Sequence, residues 1–126
     1  MLNDYESTLL SGWEDLYKKA QLSVWILLAL KDGPKQMAGI KAFAKTVLQV
    51  HIATDDRSMH RSLRRLANAK IIGHVAKPSQ KGPNAKEYCL TPTGQRVLQA
   101  FLARNIIAPF YNERVSQLIH QNKDNV

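Results

Sequence analysis

Apolar residues recur along most of this 126-residue chain at steps of three and four, the spacing that lines one face of a helix. The first such run predicts a helix from Leu10 to Lys31. At its start Ser11-Gly12-Trp13-Glu14 has the spacing of a capping box, in which a hydroxyl and a carboxylate satisfy free N–H groups. Trp13, Tyr17, Ala20, Val24, Leu27 and Leu28 form one stripe, while Leu22, Trp25, Ile26, Ala29 and Leu30 cover much of the other side toward the end. The helix should therefore begin amphipathic and finish buried nearly all round. Gly33-Pro34 stops it, glycine by permitting a left-handed cap and proline by breaking the ladder.

A second helix is expected from about Lys35 to Leu48, with Met37, Ile40, Ala44 and Val47 inside and Lys41 and Lys45 flanking on the solvent side. Val50-His51-Ile52 reads as a short extended piece. Thr54-Asp55-Asp56 then offers N-caps and negative charge at the positive end of a third helix, about Asp56 to Ala69. Met59, Leu63 and Leu66 face inward with Ser62 beside them; Arg57, Arg61, Arg64 and Arg65 take the outer surface. The pattern next changes to a hairpin: a strand from Ile71 to Ala76, turn formers from Lys77 to Asn84, and a return strand Glu87-Tyr88-Cys89-Leu90 with Tyr88 and Leu90 inward.

Thr91-Pro92 supplies an N-cap with proline at the first helical position. Val97, Leu98, Phe101, Leu102 and Ile106 line one stripe of the last long helix, which Pro109 must kink or end. Tyr111, Val115, Leu118 and Ile119 repeat an apolar face up to a polar tail. The length fits one domain, 1–126, mainly α with a small β-hairpin. Its core spans about 16–91, and 1–15 and 92–126 are helical extensions.

Charge sharpens the picture. The chain carries +8 at neutral pH, all of it from one stretch. Between Arg57 and Lys86 stand eight bases, Arg57, Arg61, Arg64, Arg65, Lys70, Lys77, Lys81 and Lys86, without one Asp or Glu. A block of one sign draws a polyanion, and DNA is the commonest available to a small soluble protein. The single Cys89 forms no internal disulfide. The longest apolar run, Leu22 to Leu30, falls far short of the roughly 20 residues that cross a bilayer. A soluble cytoplasmic protein is expected.

Helix, helix, short strand, basic helix, hairpin, helix is the order of a winged helix-turn-helix. A helix fits the DNA major groove, and a basic hairpin tip reaches phosphates alongside. The residues also resemble the PadR-like transcriptional regulators over about Leu16 to Phe101. Leu27-Leu28-Ala29-Leu30-Lys31-Asp32-Gly33-Pro34 is similar to that family's first-helix ending. Ser58-Met59-His60-Arg61-Ser62-Leu63-Arg64-Arg65-Leu66 is similar to its recognition helix, and Gly82-Pro83 with Lys86-Glu87-Tyr88-Cys89-Leu90-Thr91 and Gly94 to its wing and the start of its last helix. The resemblance implies a homodimeric repressor, joined through its first and last helices, on a palindromic operator. Departures are Gln36-Met37-Ala38 for His-Gly-Tyr, His60 for a usual Tyr, Lys70 for a closing glycine and Ala85 for a wing Arg.

The candidate DNA-binding residues are Arg57, Ser58, His60, Arg61, Arg64, Arg65, Lys77, Lys81 and Lys86. Arg57, Ser58 and Arg61 are the base-reading candidates, because the N-terminal residues of such a helix lie deepest. Arg64 suits a phosphate or a base, and the wing lysines suit phosphates. The apolar stripes exceed what one small domain covers, so Trp13, Leu98, Phe101, Leu102, Ile106, Tyr111, Val115 and Leu118 are expected at a dimer interface. Trp25 is expected in the core. Trp13, with Tyr17, is either interface or the wall of a pocket for an aromatic or lipophilic effector. His51, His60, His74 and His120 lack metal-ligand spacing, and no phosphate loop, catalytic triad or acid pair supports an enzyme or a cofactor. The alternative function is a winged interaction module that docks an acidic partner without preferring any DNA sequence.

Overall fold

The computed structural model describes residues 1–52, 55–78, 82 and 85–121. Helix α1 spans Asp4–Lys31, starting before the expected Leu10. Its capping box is Asn3 with Glu6, not Ser11 with Glu14. Asn3 Oδ1 accepts from the Glu6 N–H at 2.8 Å, and the Asn3 N–H donates to Glu6 Oε1 at 2.9 Å. Residues 4–20 are all exposed, so no buried stripe marks where this helix begins. Burial sets in at Val24 and continues through Leu30, with Trp25 in the core as expected.

Lys35 is not helical. It pairs with the wing, its N–H donating to the Tyr88 carbonyl at 3.0 Å and its carbonyl accepting from the Tyr88 N–H at 2.8 Å. Helix α2 then spans Met37–Phe43 and passes into a π-helical turn, Ala44–Leu48, closed by Gln49 in the left-handed region at φ 57°. A π turn holds one residue more than an α turn and so rotates the side chains beyond it. Val47, expected inside, is 60% exposed, and Leu48 packs on the core in its place. Residues 50–52 form no strand, although Ile52 is buried.

Helix α3 spans Asp56–Asn68 and buries Met59, Leu63 and Leu66, as its periodicity predicts. Its cap is Asp55, whose carboxylate accepts from the Ser58 N–H at 2.8 Å. Thr54, the other cap candidate, lies outside the described residues. Strands β1 (Ile72–Lys77) and β2 (Ala85–Leu90) pair antiparallel, with Ile72 opposite Leu90 and Lys77 opposite Ala85.

Helix α4 spans Pro92–Leu102. Thr91 joins it to the α3–β1 turn: its Oγ accepts from the Gly94 N–H at 2.9 Å and its hydroxyl donates to the Lys70 carbonyl at 2.6 Å. Gly94 has no room for a side chain, because a Cβ there would strike the Ile71 carbonyl. The helix continues as a π turn, Ala103–Ile107, and then as α5, Ala108–Phe110, before ending at Tyr111. Pro109 thus sits just past a widened turn, where its ring and missing N–H are tolerated. Asn112 closes one helix and opens the next. Its amide donates to the Ala108 and Pro109 carbonyls, and its Oδ1 accepts from the Val115 N–H at the start of α6, Glu113–His120.

Candidate nucleic-acid interface

At 100° per residue, the buried Met59, Leu63 and Leu66 define one side of α3. Arg57, Arg61, Arg64 and Asn68 fall on the opposite side. Arg65 and Ser58 lie toward one flank, His60 and Ala67 toward the other. Arg57, His60, Arg61, Arg64 and Arg65 are exposed; Ser58 is half-buried. Both the backbone N–H and the hydroxyl of Ser58 bond the Asp55 carboxylate, so this candidate base reader is partly occupied by capping.

The sequence puts no acid inside the basic block, but three flank it along the chain, and the fold engages each of them. Asp55 is held ionised below the usual carboxylate range by the Ser58 N–H and hydroxyl, with Arg61 and Lys41 adding attraction. Asp56 is lowered likewise by Lys41, which bonds and pairs with it at 2.7 Å. That bridge ties α2 to the start of α3. Glu87 faces Lys77 at 3.7 Å, which reduces Lys77 as a free phosphate ligand. Among the described residues, Arg57, Arg61, Arg64, Arg65, Lys70 and Lys86 form no ion pair. Lys81 lies outside the described residues. Lys86 is exposed on β2, on the hairpin face that also carries Tyr88 and, from β1, His74.

Together these residues make a cationic ridge braced by a core, with a second cationic edge on the wing beside it. That is the arrangement of a winged helix that presents α3 outward. The chain has the PadR-like winged-helix fold. A PadR-like transcription factor from Bacteroides fragilis matches it with a TM-score of 0.61 and 24% identity, over 74% of this chain and 87% of that one. A PadR-family transcriptional regulator from Eggerthella lenta DSM 2243 matches with a TM-score of 0.62 and 19% identity, over 82% and 83%. Bacillus subtilis PadR, whose structure is a complex with operator DNA, matches with a TM-score of 0.59 and 19% identity; the match covers 81% of this chain and 58% of that one. No family model and no curated protein matches the sequence.

The PadR-like fold also places the remaining candidates. Leu98 is not a surface residue: it is 2% exposed within the protomer's own core, one turn beyond the tightly packed Gly94. Leu102, Ile106 and Val115 are half-buried, while Trp13, Phe101, Tyr111 and Leu118 are exposed. Trp13 and Tyr17 come together, one turn apart, in a mostly apolar niche of about 260 Å³ shared with Leu10, Trp25 and Val50 and edged by Glu14 and Lys18. Charge does not point to Asn68, His74 or Gln36, yet they border the ridge or the cleft beside it. A polar residue at the end of the ridge spacing is the one signal that could have found Asn68.

Proposed function

We propose that this protein is a sequence-specific DNA-binding transcriptional regulator, a homodimeric repressor that acts on an inverted repeat. The observation that carries this reading is the outward row of Arg57, Arg61 and Arg64, backed by the buried Met59, Leu63 and Leu66. Such a rod enters a major groove, where arginines bond guanine edges in pairs. The likeness in fold to a PadR solved in complex with operator DNA supports DNA as the ligand. Two copies would set their α3 helices in successive grooves roughly 34 Å apart.

Residues 16–91 would form most of the DNA-binding core, with α4 contributing Gly94 and Leu98. The dimer would bury the aromatic and aliphatic side chains left bare on the first half of α1 and on α5 and α6. Exposed apolar patches of this kind mark interfaces. The Trp13–Tyr17 niche lies on that surface, so an aromatic or lipophilic effector seated there would alter how the copies pack and release the operator.

Selection of bound duplexes from a random pool tests the reading. It should enrich an inverted repeat with half-sites one turn apart. If the dimer neutralises about eight phosphates, log affinity should fall with log salt at a slope of about −7. A pool without enrichment, together with a slope near zero, would sink it.

A further inference from the structure

We propose that the cleft between α3 and the wing is a proton-linked seat for one phosphate of the DNA backbone, closed by His60, Arg64, His74 and Lys86. This rests on the DNA-binding reading above and adds to it a ligand group, a set of residues and a pH dependence.

The cleft has a volume of about 250 Å³, floored by Leu63, Ala67 and Tyr88. His60 and Arg64 stand one turn apart on the flank of α3, so their side chains neighbour each other. His74 lies opposite Tyr88, and Lys86 is two residues from Tyr88 on the same strand face. Five nitrogen-bearing side chains from a helix and two strands, these four and the Asn68 amide, therefore line one space with room for a phosphate. A helix seated in a major groove has a phosphate strand along its flank, and the strand between α3 and the wing must pass this cleft.

Among the described residues, no carboxylate lines it. Asp56, one turn before His60, is taken by Lys41 at 2.7 Å, and Glu87 projects from the other hairpin face toward Lys77. From the α2 side, Gln36, Met37 and Ala38 border the neighbouring space and bring no charge. Burial raises the Tyr88 phenol above its ordinary value, so it stays neutral throughout. Asp55 and Asp56 are held below the usual carboxylate range and do not titrate near neutrality. Imidazole is the side chain that as a class changes charge between about pH 8 and pH 6, and His60 and His74 are the two imidazoles lining the seat. Arg64 and Lys86 supply fixed charge. Each protonated imidazole adds a charge-assisted bond to a phosphate oxygen. A phosphate that favours the protonated rings must, by reciprocity, be bound more tightly as the pH falls.

Backbone contact is independent of sequence, so a random-sequence duplex serves as probe. Anisotropy of the labelled duplex with the full chain, at constant ionic strength, should show about a ten-fold tightening from about pH 8 to about pH 6. His60→Gln combined with His74→Gln should gain less than about two-fold over the same pH interval, measured against its own affinity at the higher pH. His51→Gln and His120→Gln should keep the full gain. All of these histidines are exposed, and melting curves confirm folding of each variant. An unchanged gain in the His60/His74 variant, or a flat profile in the parent, would overturn the seat while leaving the DNA reading intact. A gain abolished by exchanging chloride for inorganic phosphate would assign the cleft to free phosphate and also overturn it. A parent that binds no duplex at any pH removes both.

Discussion

Helix α3 and the first half of α1 carry apolar residues at the same helical spacing, but the protomer treats them oppositely. Met59, Leu63 and Leu66 are buried in α3, whereas Tyr5, Leu9, Trp13 and Leu16 in α1 are all more than half exposed. Periodicity states that a face is apolar; it does not state what covers it. In α3 the cover is the rest of the domain, so the informative side is the polar one, which carries arginines. In α1 none of the other described residues covers the stripe, so the informative side is the apolar one. Under the proposed function, one helix would show its surface to a polyanion and the other to another apolar surface.

The largest effect expected from this contrast is on folding. Leu63→Ala, at a site 1% exposed, should cost about 2–5 kcal/mol through lost burial and the cavity left behind, at every protein concentration. Trp13→Ala, at a site 73% exposed, should cost less than about 0.5 kcal/mol in dilute protein. At high concentration it should lower the melting temperature, because it would remove a contact between copies in the proposed dimer. Melting curves for both variants across a dilution series read the difference. Concentration-independent losses of similar size in the two variants would erase the contrast and the dimer surface with it.

The same contrast explains which parts of the fold are legible in the sequence. The α3 stripe, the Asp55 cap and the Thr91-Pro92 start of α4 each follow from local chemistry that tertiary packing reinforces, and each appears where the pattern puts it. The true start of α1 is hidden. Its capping box, Asn3 with Glu6, opens a stretch with no buried face, and the apolar stripe points to Ser11 instead. Val47 and Leu98 depart from expectation for different reasons. A π turn shifts the face at Val47, an event that no residue type announces. Leu98 sits on a stripe shared by core and surface, and only the close approach of Gly94 to Ile71 decides that it turns inward. In the candidate site, charge locates the ridge but not its neighbours. Asp56 stands beside the first arginine and Glu87 beside the last lysine, yet only the fold shows that Lys41 and Lys77 neutralise them.

A second effect, intermediate in size, separates the two exposed surfaces by ligand. Arg61 lies directly opposite the buried side of α3, so Arg61→Ala should cost about 1–3 kcal/mol on the preferred duplex and relax preference at one base pair. Arg96→Ala, on the exposed side of α4, should leave the preference unchanged. Equal losses on preferred and random duplexes for Arg61→Ala would reduce Arg61 to a phosphate contact and move base reading to Arg57 or Arg64.

The two helices also end differently, and this gives the smallest effect. Helix α1 is followed by Gly33 at φ 147°, a conformation that costs glycine nothing. Helix α3 ends on Lys70 at φ 64°, a left-handed conformation that a side chain disfavours. The backbone there nevertheless forms a complete Schellman motif. The Ile71 N–H donates to the Leu66 carbonyl at 3.1 Å and the Lys70 N–H to the Ala67 carbonyl at 3.0 Å, while Thr91 holds the Lys70 carbonyl from the other side. The surrounding bonds therefore impose the conformation on a residue that would not choose it. Lys70→Gly should relieve that cost and stabilise the fold by about 0.5–1 kcal/mol, a rise of a few degrees in melting temperature. Lys70→Ala removes the same charge without relieving the backbone and should bring no such gain. A rise of equal size in the alanine variant would mean that repulsion within the basic block, not backbone strain, is what the substitution removes.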